Sequence, residues 1–285
     1  MIDTRLRQAV EQFTNLVLPL SEKDLERVWV WKDHDEEGIR FASFVTLQEL
    51  RHLAVTLAGL HPKPTAAQHI LRQYHAAYMD LQAVLLGVSN EVAEHPPAEE
   101  EWAVQRTYAH LLGTDINFTI VVRYALEAHR AGTWSPARYS DEDADRLAKI
   151  TDEEYLALIR GPLDRMIAFH RDLHWQILHD FSQITDEELD LPSTFWEETR
   201  FPIQHRLHRY EAHFVQHTVQ IEKTLAAIGQ APGESKQLLR RIYAALAEAE
   251  GMMLGPEKID ETVLLGTVSS ITERTKEIES LLRTG

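Results

Sequence analysis

The sequence predicts an all-α protein: an up-and-down four-helix bundle with further helices at both ends. Three observations carry that reading. Apolar residues recur at threes and fours along most of the chain, no stretch sustains the apolar/polar alternation of a half-buried strand, and helix start and stop signals bracket the periodic stretches.

Residues 4 to 18 form the first predicted helix, stopped by Pro19, and Ser21 to Asp24 starts a further turn. A charged loop from Lys32 to Arg40 precedes a helix from Thr46 to Leu60. The run HPKPT, residues 61 to 65, then places two prolines in five residues and marks a first domain boundary. Further helices are predicted over 66 to 87, with a break near Pro96 and Pro97, and over 102 to 131, ended by Gly132. An irregular stretch to Lys149 leads to Thr151-Asp-Glu-Glu154, a capping box that opens a long helix reaching about Gln183. Thr185 to Glu188 repeats the start signal, and a loop with Pro192, Phe195 and Trp196 leads to the next helix. Ala231-Pro232-Gly233 marks a second boundary, followed by helices over 235 to 249 and 259 to 282. The domains expected are thus 66–230, holding four helices, and 1–65 plus 231–285, whose helices are expected to form a second, metal-free bundle split around the first.

The stretch from Phe201 to Ile228 combines a helical pattern with a chemical one. Leu207, Phe214, Val215, Ile221, Leu225 and Ile228 follow the helical period, Pro202 suits a first turn, and Gly229 suits the position past a helix end. His213 and His217 stand four apart, so both imidazoles project from one face about a turn apart and can hold the same ion. Arg206, Tyr210 and Gln220 lie near the same stripe. His170 and His174 are spaced in the same way, so the spacing alone does not single out a metal site.

With 285 residues the chain can bury one large or two small cores. No run of 18 apolar residues is present, and the N-terminal MIDTRLRQAVEQF lacks the apolar core of a signal peptide, so neither a membrane nor a secreted location is expected and a cytoplasmic one is. A formal net charge of -16 argues against nucleic-acid partners. The cysteine count of zero excludes disulfides, thiolate ligands and a catalytic cysteine, so a metal must be held by His, Asp or Glu.

Two motifs carry a resemblance to a known family. Trp102-Ala-Val-Gln-Arg-Thr-Tyr-Ala-His110-Leu-Leu has a tryptophan eight positions before a histidine, and His213-x3-His217-x2-Gln220-Ile221 has the form H-x3-H-x2-Q-I. In both, the segment from about 66 to 230 resembles the DinB/YfiT superfamily of four-helix-bundle metalloproteins. The resemblance implies a divalent metal, commonly zinc or nickel, held by His110 from the second helix and by His213 and His217 from the fourth. Three imidazoles would leave a position for water or substrate. It gives His170 and His174 no metal role, so hydrogen bonding or surface exposure is expected of them, and His205 and His208 are expected to face solvent. The sequence departs from the family at Gly113, where an acid is common; Asp115 lies off the ligand face. The flanking arms also look like a split, degenerate copy of the bundle. No histidine follows His217, so that copy cannot hold the same site.

The activity implied is metal-dependent transfer of a low-molecular-weight thiol to a small electrophile, or a related hydrolysis or isomerisation. Arg206, Tyr210 and Asn117 are the candidate catalytic residues: Arg206 for a carboxylate, Tyr210 as a hydrogen-bond donor, and Asn117 because it lies two turns beyond His110 on the same face. The partners expected are a small-molecule substrate and, as the one assembly considered, a second copy of the chain in a homodimer. The competing reading is a non-catalytic metal- or small-molecule-binding bundle with a structural or interaction role.

Overall fold

A computed structural model of the chain describes residues 4–32, 38–60, 63–136, 138–195, 199–255 and 261–284. Trp196, His61, Pro62, most of the charged loop after Lys32 and the expected helix start at Ile259 lie outside the described residues. Among the described residues the regular structure is helical except for one two-stranded hairpin. The main helices are α1 (Thr4–Val17), α3 (Arg40–Leu60), α4 (Ala66–Val84), α6 (Val104–Arg130), α9 (Leu163–Phe181), α11 (Ile203–Ala227), α12 (Glu234–Met252) and α13 (Glu261–Thr284). The all-α expectation holds. Among the described residues no helix is long and apolar enough to cross a membrane.

The shorter elements are α2 (Glu22–Leu25), α5 (Asn90–Glu94), α7 (Asp141–Ala148), α8 (Asp152–Ile159) and α10 (Asp186–Leu189). Two differ from the sequence expectation for local reasons. The helix opened by Thr151 stops at Ile159 instead of continuing to about Gln183, because Gly161-Pro162 interrupts it: proline lacks an N–H and disfavours helical backbone in the residue before it. The stretch read as irregular before Lys149 contains α7, whose capping box joins Ser140 and Asp143. The hairpin pairs Pro192–Ser193 with Phe201–Pro202, strands too short to show any alternation in sequence.

The chain divides into two compact units, 1–63 with 79–87 and 231–285, and 64–78 with 88–230. In the second unit, partners along the helices fix their directions. Gln105 bonds the Gly161 carbonyl and Arg123 bonds Asp180, so α6 and α9 run parallel. His110 meets His213 and Thr119 meets Tyr210, so α6 and α11 run antiparallel. The order is up-down-down-up, with no strict alternation, because the connection holding α7 and α8 is long enough to carry the chain back along the bundle before α9 begins.

The first unit has the same order of directions. Arg7 pairs with Glu250, and Ser235 bonds the Leu20 carbonyl, so α1 and α12 are antiparallel. Arg40 pairs with Glu234 and Arg51 with Glu248, so α3 and α12 are parallel. Arg274 and Ser270 reach back to Thr46 and Glu49, so α13 opposes α3. Arg274 is fully buried, and its guanidinium bonds Thr46 Oγ1 at 2.9 Å and Glu49 Oε2 at 2.7 Å beneath the Trp31 ring.

Removing the buried guanidinium leaves Thr46 and the partly exposed Glu49 carboxylate without their donor, so Arg274→Met is expected to cost about 2 kcal/mol in chemical denaturation. Arg274→Met combined with Glu49→Leu is expected to recover much of that loss. A neutral single substitution would contradict a structural role for the pair.

Candidate metal centre

The site is made where α6 packs antiparallel on α11. Phe118 on α6 rests against Tyr210 and His213 on α11, and Thr119 and Tyr210 share a hydrogen bond of 3.0 Å, which sets the register of the two helices. That register brings His110 to His213 and His217. His213 Nε2 lies 3.3 Å from His110 Nε2 and 3.0 Å from His217 Nε2, and the ligand atoms of all three lie within 4.8 Å of one another. His110 is exposed, whereas His213 and His217 are 7% and 5% exposed. Nitrogens about 2.0–2.1 Å from a tetrahedral ion stand about 3.3–3.4 Å apart, so the observed separations are close to those a shared ion requires.

The protonation of the group also suits a cation. Burial, then the neighbouring imidazoles of His217 and His110 and the Arg209 charge, push His213 down to about 3 from an ordinary 6.5. Burial lowers His110, and burial lowers His217 too, although its hydrogen bond to Gln220 opposes the shift. His217 Nδ1 lies 2.9 Å from Gln220 Oε1. An amide oxygen only accepts, so Nδ1 carries the proton and the Nε2 lone pair faces His213. Gln220 is thus the residue that fixes the His217 tautomer. Its i+3 spacing from His217 is legible in the H-x3-H-x2-Q motif.

Trp102 packs edge-on against His110 with ring centroids 5.5 Å apart, and the Arg106 guanidinium covers the Trp102 ring at 4.7 Å. Gly113, one turn beyond His110, has no side chain because the space is taken: a Cβ there would lie 2.6 Å from Tyr155 Oη. A phenol from α8 therefore stands where the family commonly has an acid. No sequence signal pairs those two positions.

The other candidates are engaged within the fold. Arg206 is buried, donates from Nε to Ser193 Oγ at 3.1 Å and lies over Phe201, tying α11 to the hairpin before it. Tyr210 is buried against Tyr74 and Phe118, and burial followed by the Asp115 charge raises its hydroxyl well above the usual range. Asn117 is half-buried and donates to the Gly113 carbonyl at 2.8 Å. His205 stacks on Phe201 and is half-buried, while His208 is exposed.

His170 and His174 are both fully buried, and their hydrogen bonds are the alternative realised. His170 joins Tyr108 Oη at 3.0 Å and Asp115 Oδ2 at 2.9 Å, and Asp115 also accepts from Tyr74 Oη at 2.8 Å. His174 stacks on Tyr78 and meets His75 at 2.9 Å. Asp115 points away from the three-histidine group into this network, which the sequence did not reveal.

The lowered imidazole values have a consequence for stability. Between about 3 and 6.5 the unfolded chain binds more protons at position 213 than the folded protein does, so in that window stability rises with pH; above 6.5 it levels off at its highest value. Acidifying the chelator-treated protein from about pH 7 to about pH 5 is expected to lower its Tm, with a shallower dependence in His213→Asn. Identical dependence in the two proteins would contradict the buried, neutral state of this imidazole.

A family model described as the DinB superfamily matches residues 73–221, more than half of the chain and a span that includes all three clustered histidines. No curated protein and no solved structure matches the chain. By that match, and with its three histidines gathered from two helices of an all-α bundle, the chain belongs to the DinB superfamily.

Proposed function

We propose that the protein binds one divalent ion, zinc or nickel, through His110, His213 and His217, and that it is a thiol S-transferase acting on a small electrophile. The observation that carries the first part is the convergence of three neutral imidazoles from two helices at 3.0 and 3.3 Å. Among the described residues no carboxylate joins the group, which favours a centre with a position left for an exogenous partner over a closed structural site. When bound, a divalent ion at three uncharged ligands supplies the positive charge that holds a thiol or a water as its anion near neutral pH.

The chain's own residues support that use. Gln220 holds the His217 tautomer, burial keeps His213 unprotonated, and Trp102 with Arg106 above it walls the exposed side of His110. The chain has no cysteine, so the sulfur must arrive on a cosubstrate. In the transfer the sulfur–carbon bond forms as the leaving group departs with the bonding electrons, and the thiol proton passes to solvent.

Elemental analysis of the purified protein is expected to give one ion per chain, retained in His208→Ala and lost in His213→Ala. Calorimetric titration with glutathione, bacillithiol and mycothiol is then expected to show at least one thiol binding the loaded protein and not His217→Ala, with affinity declining on acidification as protons compete for the imidazoles. Equal metal content in the two alanine variants would overturn the centre. Thiols that bind neither protein would shift the reading to hydrolysis by bound water or to a non-catalytic binding bundle.

A further inference from the structure

A pocket of about 590 Å³ opens beside the three-histidine group, within the size range of small-molecule sites. It is lined by Glu100, Glu101, Trp102, His217, Lys223 and Thr224, among others. Two of these tie it to the centre. His217 is otherwise buried, so the pocket reaches one of the clustered imidazoles, and Trp102 forms a wall of the pocket while packing edge-on against His110.

The polar lining is mixed in sign and uncommitted. The side chains of Glu100, Glu101 and Lys223 are exposed, and none makes a hydrogen bond or ion pair among the described residues. Three arginines of this unit are paired with carboxylates, Arg123 with Asp180, Arg130 with Glu188 and Arg146 with Glu127, and Arg106 lies over the Trp102 ring. Two carboxylates against one ammonium in the lining, in a chain of net charge -16, favour a ligand that brings its own cation.

We propose that this pocket is the subsite for a thiol whose far end carries an ammonium beside a carboxylate, with Glu100 and Glu101 receiving the ammonium and Lys223 the carboxylate. The proposal rests on reading the three-histidine group as a thiol-dependent metal centre. It adds the selection: sulfur directed at the histidines, and the zwitterionic end of the molecule held along the pocket. Amine-blocked thiols are the ones disfavoured.

The test uses the full chain loaded with cobalt(II), whose thiolate charge-transfer absorption reports sulfur binding directly, at low ionic strength so that exposed pairs are not screened. The probes are glutathione, glutathione acetylated on its γ-glutamyl amine, and 2-mercaptoethanol. Glutathione is expected to bind about fivefold more tightly than its acetylated form, the scale of one or two exposed ion pairs. Glu100→Gln combined with Glu101→Gln is expected to erase that difference by weakening glutathione alone, and Lys223→Gln to weaken both glutathione forms equally. Equal binding of the two glutathione forms to the unsubstituted protein would overturn the subsite and leave the thiol centre standing. A cobalt spectrum that no thiol perturbs, 2-mercaptoethanol included, would overturn the thiol centre and the subsite together.

Discussion

Packing of α6 against α11 is the constraint on which the rest of the site depends. Three imidazoles brought to 3.0 and 3.3 Å are costly for a fold to maintain, since each loses solvent and none can protonate without facing its neighbours. Phe118, Thr119 and Tyr210 hold the two helices in the one register that produces this cluster. A slip by one residue on either helix would turn a histidine to another face. The desolvation that lowers the imidazole pKa values also leaves their lone pairs free for a cation, so the cost of gathering the three rings and their capacity for an ion have the same origin.

Behind the histidines, the bundle interior holds a second set of polar groups. Tyr74 and His170 both bond Asp115, His170 also joins Tyr108, and burial raises the Asp115 carboxyl above its usual value despite the opposing hydrogen bonds from His170 and Tyr74. Each of these bonds joins different helices: α4 to α6, and α6 to α9. An apolar core of the same shape would tolerate small rotations of each helix, whereas a network of this kind penalises any that leaves a buried group unpaired. The face of α6 that carries His110 is thereby held from the opposite side, with Asp115 turned inward while His110 faces α11.

Much of this was legible in the sequence because the informative spacings are local. The periods of threes and fours gave the helices, the i, i+4 histidines of α11 share a face by helical geometry, and Gln220 follows His217 by one turn. His110 was reached through the tryptophan eight residues before it, and Trp102 does pack on its ring. What stayed hidden depends on contacts between distant segments. Nothing near Gly113 announces Tyr155, forty-odd positions later, and nothing near His170 announces Asp115 or Tyr108. Arg206 and Tyr210 stand on the correct helix and read as polar groups available for chemistry, yet Ser193, Phe201 and Thr119 already engage them. The direction of α9 was likewise beyond local reading, because it is set by the path of the connection through α7 and α8.

The central claim is that His110, His213 and His217 bind one ion together. X-ray absorption on the zinc- or nickel-loaded protein tests it most directly, because the outer-shell scattering of coordinated imidazole rings can be counted. The account predicts three imidazoles plus one further light-atom ligand, with a sulfur contribution appearing when a thiol that binds is added. A first shell with two or fewer imidazoles, or one unchanged by His110→Ala, would contradict it.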